Sequence, residues 1–420
     1  MNTTLLAAVI FIFTYVLIVT ERVPRTVSAL LGGMAVIIFG ILSQEHAFTI
    51  IDWNVIFLLV GMMIIANVLR ETGIFQWIAV QSVRVGKGDP FRIMLILVLV
   101  TAVSSALLDN VTIVVLVVPV TIFVAASLRM SPIPFLIVEI LAANIGGAAT
   151  LVGDPPNILI GSAANIDFIT FAANMAPISI INLIALAGMS WLLFKNDLKT
   201  ESDYQLNIEA LDASELITDI TLMRKSIIVM GFVIIGFFIH GALQLEPATI
   251  AMTGAIILVL WGRVDPNHVL RDIEWATLFF FIGLFILVEA LVEVGIIESV
   301  AHFILSLTEG NLVLTSMLLL WFSAVASGIV DNIPYTATMI PVVENLGTVI
   351  PAEPLWWSLA LGACLGGNAT MVGAAANVVV ANLAEKSGHP LSFSQFLRYS
   401  LVVTFVSILF ASLYVWFRYL

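Results

Sequence analysis

Two glycine-rich stretches decide how this chain folds: GGAATLVGDPPN at residues 146–157 and GGNATMVGAAAN at residues 366–377. Both lie inside long apolar segments, where paired glycines and the Pro155–Pro156 pair interrupt a helix. Within a membrane, the backbone groups released by such a break must be buried in protein, line a cavity or bind a ligand. Each stretch therefore predicts a broken helix, and the alternative is a kinked helix packed through its small residues.

The composition is that of a membrane protein. Hydrophobic residues make up 61% of the 420 residues and charged residues only 10%, with a mean hydropathy of +1.12. Soluble domains carry about 25% charged residues, so we predict an all-α polytopic membrane protein. The formal charge of −12 and the absence of a basic patch exclude nucleic acid as a partner. A single cysteine and scattered histidines predict no disulfide, no cofactor and no permanent metal, and no catalytic set indicates an enzyme.

Apolar segment lengths and basic residues predict the topology. About 20 apolar residues cross a bilayer, and we predict ten crossings: 4–20, 26–42, 53–70, 132–165, 167–194, 224–242, 247–262, 275–294, 354–385 and 393–418. The stretches 92–128 and 311–350 have polar centres and are predicted to be re-entrant hairpins, with plain crossing pairs as the alternative. This topology puts 15 of the 16 basic residues on one side. We therefore predict a bacterial or archaeal cytoplasmic-membrane protein with both termini outside.

The second half of the chain repeats the first. Residues 52–73 match 274–295 at an offset of 222, with seven of the 22 positions identical. The same offset pairs the Asp-Asn dipeptides that begin at Asp109 and Asp331, and an offset of 220 pairs the glycine-rich stretches. Each copy has an odd number of predicted crossings, so the copies are predicted to be inverted, as in secondary transporters. A duplicated channel or membrane enzyme is the alternative.

Polar residues at the hairpin tips and breaks are the candidate binding residues. A carboxylate at the bilayer centre costs about 2.5–3.5 kcal/mol, so Asp109 and Asp331 are predicted to face water, an ion or a partner and to carry protons; helix capping is the alternative. Asp154 stands where the second copy has Ala374, and is either a proton or cation ligand or a turn-former.

The candidate set is defined by its place at these tips and breaks. The predicted substrate or ion ligands are Asp109, Asn110, Thr112, Thr150, Asp154, Asn157, Asp331, Asn332, Asn368, Thr370 and Asn377, and the backbone breaks are at Gly146, Gly147, Gly153, Gly366, Gly367 and Gly373. Na⁺ is predicted to bind transiently at the same site, through side chains and freed backbone carbonyls. Glu139 and Glu289 also lie in predicted crossings, and each is either a relay acid or a packing contact.

Three motifs resemble one transporter family. LDNVT at 108–112, the stretch 144–157 and DNIPYTAT at 331–338 resemble the ArsB/NhaD family of the ion transporter superfamily, especially its P protein-like bacterial permeases. Through a distant relation to the divalent-anion/sodium symporters, this resemblance implies a homodimer with scaffold helices and a moving, elevator-type transport domain. The scaffold would comprise 1–91 and 224–310, the transport domain 92–194 and 311–420, and a cytoplasmic linker 195–223.

The resemblance also bears on the substrate. In those symporters a Ser-Asn-Thr motif at each tip binds carboxylate and sodium, whereas Asp109 and Asp331 begin the matching positions here. Two extra negative charges repel an anion unless they are protonated. We therefore predict a proton-coupled antiporter that exports Na⁺ or a neutral hydroxide such as arsenous, antimonous or silicic acid. A sodium-coupled anion uptake symporter and an ion channel are the alternatives.

Overall fold

The computed structural model describes residues 3–20, 22–198 and 216–420, and all regular structure in these ranges is helical. Residues 199–215 of the predicted linker lie outside the described ranges. The helices are α1 (Thr3–Thr20), α2 (Arg25–Ile38), α3 (Gln44–Thr49), α4 (Trp53–Glu71), α5 (Ile74–Gly86), α6 (Pro90–Ser105), α7 (Asn110–Ser127), α8 (Ile133–Gly147), α9 (Pro155–Ala163), α10 (Phe168–Phe194), α11 (Ile220–Leu243), α12 (Pro247–Gly262), α13 (Pro266–Arg271), α14 (Trp275–Glu293), α15 (Ile296–Thr308), α16 (Leu312–Ile329), α17 (Asn332–Gly347), α18 (Glu353–Gly366), α19 (Ala375–Lys386) and α20 (Phe393–Tyr419).

The helices have the lengths and surfaces of an integral membrane protein. Eight segments in the described ranges are long and apolar enough to cross a bilayer: α1, α3 with α4, α7, α10, α11, α14, α16 and α20. Six of these coincide with predicted crossings, and α7 and α16 are arms of the predicted hairpins. Phe13, Phe232 and Phe417 are 63%, 68% and 83% exposed, which suits a surface that faces hydrocarbon rather than water.

Both broken helices are confirmed. The first copy stops at Gly147 and resumes at Pro155, and the second stops at Gly366 and resumes at Ala375. Proline occupies the first positions of α9, where its missing N–H leaves no bond unmade. Each break thus separates two half-helices.

Glycine lets the broken helices approach their neighbours. A Cβ atom added at Gly146 would lie 2.3 Å from the backbone oxygen of Ala102 in α6, and one added at Gly366 would lie 2.5 Å from the Cα of Ala324 in α16. Ala102 and Ala324 are themselves 222 residues apart. These close contacts of the broken helices therefore involve equivalent alanines in the two halves.

This packing gives a first testable prediction. Gly146→Ala and Gly366→Ala should each destabilise the protein by at least about 1–3 kcal/mol, because the added methyl group meets backbone atoms that cannot move aside. Thermal unfolding of the purified protein in detergent measures the effect. Gly188→Ala is the matched control, because a Cβ there meets nothing within 4 Å. Equal midpoints for Gly146→Ala and Gly188→Ala would contradict the close packing.

Four helices of the structure were not predicted, the six-residue α3 and α13 and the longer α5 and α15. α5 and α15 each have 13 residues, too few to cross a bilayer, and lie between a crossing and a hairpin. Each begins after a glycine in the left-handed conformation, Gly73 with φ 79° and Gly295 with φ 76°, which glycine adopts at little cost. α5 packs against α6 and α7, and α15 against α16 and α17.

Helix contacts divide sixteen of the twenty described helices into two groups. The first helix group comprises α1, α2, α4, α11, α12 and α14, in which α2 packs against α14 and α4 against α12. The second helix group comprises α6–α10 and α16–α20, in which α6 packs against α8 and α16 against α18. These paired contacts recur between the two halves of the sequence. The groups meet where α4 contacts α7 and α9, where α11 contacts α10 and where α14 contacts α17.

Candidate functional site

Each hairpin tip is bonded to the break of its own half. The hydroxyl of Thr150 donates to the carbonyl of Ala106 at 2.5 Å, and that of Thr370 donates to Gly328 at 2.6 Å. Ala106 and Gly328 end the first arms of the hairpins and are 222 residues apart. The predicted ligands Thr150 and Thr370 therefore join each tip to its break in this structure.

Two asparagines close the breaks. Nδ2 of Asn157 donates to the carbonyls of Gly147 at 3.1 Å and Thr150 at 2.8 Å, and Asn377 makes the two equivalent bonds at 2.8 Å each. Both asparagines are fully buried. We predicted that carbonyls freed at the breaks are open to an ion. The structure differs here, because side-chain amides satisfy these four carbonyls.

A buried carboxylate lies where the two halves meet. Asp154 is 1% exposed, and its Oδ1 accepts from Nδ2 of Asn110 while its Oδ2 accepts from Nδ2 of Asn332, both at 3.2 Å. These asparagines are the first residues of α7 and α17. Asp154 precedes α9, yet its side chain makes no capping bond there. Asp154 thus contacts both hairpin helices and does not cap α9.

The amide network continues through a residue that we did not predict. Oδ1 of Asn144 accepts from Asn110 at 3.2 Å, and its Nδ2 donates to Oδ1 of Asn368 and of Asn377, both at 2.9 Å. All four side chains are buried. Through Asn110 and Asn144, the network thus connects Asp154 to the break of the second half.

Asn144 could have been found from the repeat. The offset of 220 that aligns Asn157 with Asn377 also aligns Asn144 with Cys364. The thiol of Cys364 lies 3.1 Å from Oδ1 of Asn157, just as Asn144 donates to Asn377. The same position therefore supplies a donor to the closing asparagine in both halves.

The hairpin aspartates cap their helices. Asp109 accepts from the backbone N–H of Thr112 at 3.0 Å and from its hydroxyl at 3.3 Å. Asp331 accepts from the N–H of Ile333 at 3.0 Å and from Nη1 of Arg25 at 2.8 Å. Capping, given above as the alternative role, is thus present at both residues. Arg25, which we used only as a topology signal, connects α2 to the second hairpin.

Two cavities of unequal size lie where the helix groups meet. A cavity of about 100 Å³ is lined by Arg25, Asp109 and Glu274, among others, and a cleft of about 400 Å³ by Asn54, Asp167, His240 and Glu246, among others. Several lining residues of the two are 222 apart, namely Thr26 and Ala248, Ala276 and Asn54, Thr277 and Val55, and Phe280 and Leu58. Equivalent residues of the two halves thus line two cavities of different volume.

The larger cleft carries a negative charge at neutral pH. Asp167 precedes α10, outside the membrane-crossing helix. Partial burial raises its pKa, but hydrogen bonds from Thr170 and from the N–H of Ile169 outweigh this and hold the pKa of Asp167 below its usual value. A solute that enters the cleft therefore meets an ionised carboxylate.

The two further acids lie in other contacts. Glu139 is 1% exposed and accepts from the hydroxyl of Thr121 at 2.5 Å. Glu289 is partly exposed, and its Oε1 lies 3.2 Å from Nε2 of His46.

Sequence comparisons place this arrangement among transporters. The family model described as citrate transporter, CitMHS, matches residues 15–362. An uncharacterized transporter of Mycobacterium tuberculosis is 46% identical over 421 residues, with 98% of each chain covered. A 46 kDa membrane protein of Mycobacterium leprae is 44% identical, with 99% of each chain covered. The human P protein is 35% identical over 96% of this chain, which spans 58% of the P protein.

The fold is similar to that of a solved transporter. The crystal structure of the YdaH transporter from Alcanivorax borkumensis superposes with a TM-score of 0.60 and covers 99% of this chain and 98% of its own. The two sequences are 15% identical, so this likeness shows the fold alone.

Proposed function

Because this chain belongs to the citrate transporter (CitMHS) family and is a membrane transporter rather than an enzyme, we propose that it is a proton-coupled antiporter. It exports a small cation such as Na⁺ or a neutral hydroxide solute of the arsenite, antimonite or silicic acid class. Asp154 binds the proton, and Asp109 and Asp331 stand at the tips beside it. The ArsB/NhaD placement made from the motifs is part of this proposal.

The observation that carries the proposal is the carboxylate of Asp154 between two hairpin helices. The N-terminal ends of α7 and α17 carry positive partial charge and attract an anion. The chain supplies that anion itself, because Asn110 and Asn332 both donate to Asp154. A second anion is repelled while Asp154 is ionised, whereas a proton or a cation is attracted.

The recurring helix contacts support an elevator mechanism. The first helix group would be a static scaffold and the second a transport domain that slides along it. The unequal cavities of about 100 Å³ and 400 Å³ would then be one state of a two-state cycle. The copies would be inverted, both termini would face outward, and the protein would be a homodimer in a bacterial cytoplasmic membrane.

One observation favours a second candidate, the sodium-coupled uptake of an anion. The family model is described as a citrate transporter, and Arg25 places a cationic side chain in the cavity of about 100 Å³. A guanidinium binds a carboxylate in a bidentate manner. In this mode Arg25 would exchange Asp331 for the carboxylate of the substrate.

Proton movement in proteoliposomes tests the proposal. The purified protein is reconstituted with a pH-sensitive dye inside, and Na⁺, Li⁺, arsenite, phosphate or citrate is added outside in turn. We expect the lumen to become alkaline with Na⁺, Li⁺ or arsenite, because each solute that enters is exchanged for protons. Empty liposomes are the control. Citrate uptake that requires Na⁺ and moves no protons would establish the second candidate. If no added solute causes proton movement, the antiporter is refuted.

A further inference from the structure

One donor at the centre of the site has no partner. Asn368 has no exposed surface, and its Nδ2 makes no hydrogen bond to the part of the chain that the structure describes. The equivalent position in the first half is Ala148, so only the second half carries this amide. A buried donor left unsatisfied costs about 1–3 kcal/mol. This cost indicates that an acceptor absent from the protein itself completes the site.

The chemistry of the network determines which end of Asn368 is free. Amide nitrogen and oxygen are assigned from their partners, and here two fixed partners decide. Asp154 only accepts when ionised, so Asn110 must present its Nδ2, and this group also donates to Oδ1 of Asn144. Nδ2 of Asn377 is held by two backbone carbonyls, so its Oδ1 faces Asn144.

The consequence reaches Asn368. Because the orientations of Asn110 and Asn377 are fixed, Asn144 can only donate from its Nδ2 to Asn368. Asn368 must therefore accept this bond with its Oδ1. The amide hydrogens of Asn368 therefore point away from the network. A metal cation needs oxygen ligands, and the only oxygen of Asn368 is already bonded. The free group suits an acceptor and is unsuited to bare Na⁺.

We propose that the amide nitrogen of Asn368 selects the substrate by donating a hydrogen bond to an oxygen atom of the transported solute. The solute class is one that presents a hydroxyl or carboxylate oxygen: a neutral hydroxide such as arsenous acid, or an organic anion. This inference rests on the proposed function, because the amide orientations require Asp154 to be ionised. It excludes bare cations from the solutes that Asn368 binds. Because Asn368 is closed off here, the solute reaches it only when a tip moves away from its break.

Ligand-induced stabilisation of the purified full chain tests the assignment without measuring transport. Arsenite, citrate and Na⁺ are titrated separately, and the unfolding midpoint is followed for the wild type, Asn368→Ala and Asn368→Asp. We expect arsenite or citrate to stabilise the wild type, with the half-maximal concentration raised at least tenfold in both variants. The arsenite and citrate arms distinguish hydroxyl from carboxylate oxygens.

Controls separate a lost ligand contact from a damaged fold. Asn368→Ala reproduces the residue that the first half carries at position 148, and Asn382→Ala removes an exposed asparagine of α19 and should bind as the wild type does. If one variant of Asn368 fails to fold, the other still decides. Stabilisation of the wild type by Na⁺ alone or by no probe at millimolar concentration, or wild-type affinity in the variants, would overturn the proposal. Binding that depends on Asn368 without proton movement would refute the coupling and leave the donor role intact.

Discussion

Replacing Asp154 with asparagine is expected to abolish solute-driven proton movement while leaving the protein folded. The side chains have the same shape, but an amide cannot take up and release a proton near neutral pH. It also has one acceptor oxygen, whereas both carboxylate oxygens of Asp154 accept hydrogen bonds. Hydrogen bonds to a charged group contribute about 1.5–3 kcal/mol each. In the variant one bond is made to a neutral oxygen and the other becomes a contact between two donors, and a combined loss of about 3 kcal/mol corresponds to a loss of rate on the order of 100-fold.

The dye-loaded proteoliposomes described above measure this effect, and the unfolding midpoint shows whether the variant is folded. Asp89→Asn is the matched control, because Asp89 also precedes a helix but is exposed and caps α6 through the N–H of Arg92. It should transport as the wild type does. Undiminished proton movement in Asp154→Asn would show that the coupling proton is carried elsewhere.

The hairpin aspartates should respond less strongly. Asparagine is as good a helix cap as aspartate, so Asp109→Asn and Asp331→Asn keep the capping bonds seen at both tips. Asp109→Asn removes only a charge, whereas Asp331→Asn also replaces the ion pair with Arg25 by a neutral hydrogen bond. The sequence predicts Asp109 and Asp331 as the proton carriers and leaves the role of Asp154 open, whereas the proposed mechanism gives the proton to Asp154.

The sequence predicts those parts of the site whose cause is local. The breaks follow from Gly146, Gly147 and Pro155, because glycine and proline destabilise the interior of a helix. The repeat is visible because Asp109 and Asp331 recur at one offset. That these residues lie within the membrane is a prediction from helix length alone.

Partners that depend on distant packing could not be predicted. Arg25 meets Asp331 across 306 positions of sequence, and Asn144 meets Asn368 across 224. Nothing in the neighbourhood of either residue indicates which amide or carboxylate it faces. The closing role of Asn157 was missed for a related reason, because its carbonyl partners become available only once the break has its final shape.

A sliding transport domain should be visible as two alternative cross-links. Thr26 of α2 and Ile333 of α17 line the cavity of about 100 Å³, so cysteines at these positions should be joined by a short bifunctional maleimide. The residues equivalent by the offset of 222 are Ala248 and Val111, which line different cavities here. If the halves exchange conformations, cysteines at 248 and 111 should react in the opposite state.

The background for this experiment is Cys364→Ser, because serine keeps a donor for Asn157 where alanine would leave its Oδ1 unpaired. A shift in gel mobility after reaction in native membranes measures each pair, at acidic and alkaline pH and with and without added solute. Cysteines at Thr26 and Ala276, which are in contact within the first helix group, provide the positive control and should react under all conditions. We expect conditions that increase one cross-link to decrease the other, because a single sliding motion opens one cavity as it closes its equivalent. Reaction of the 26–333 pair alone, in every condition, would mean that the first helix group does not exchange its contacts and that solutes cross by another motion.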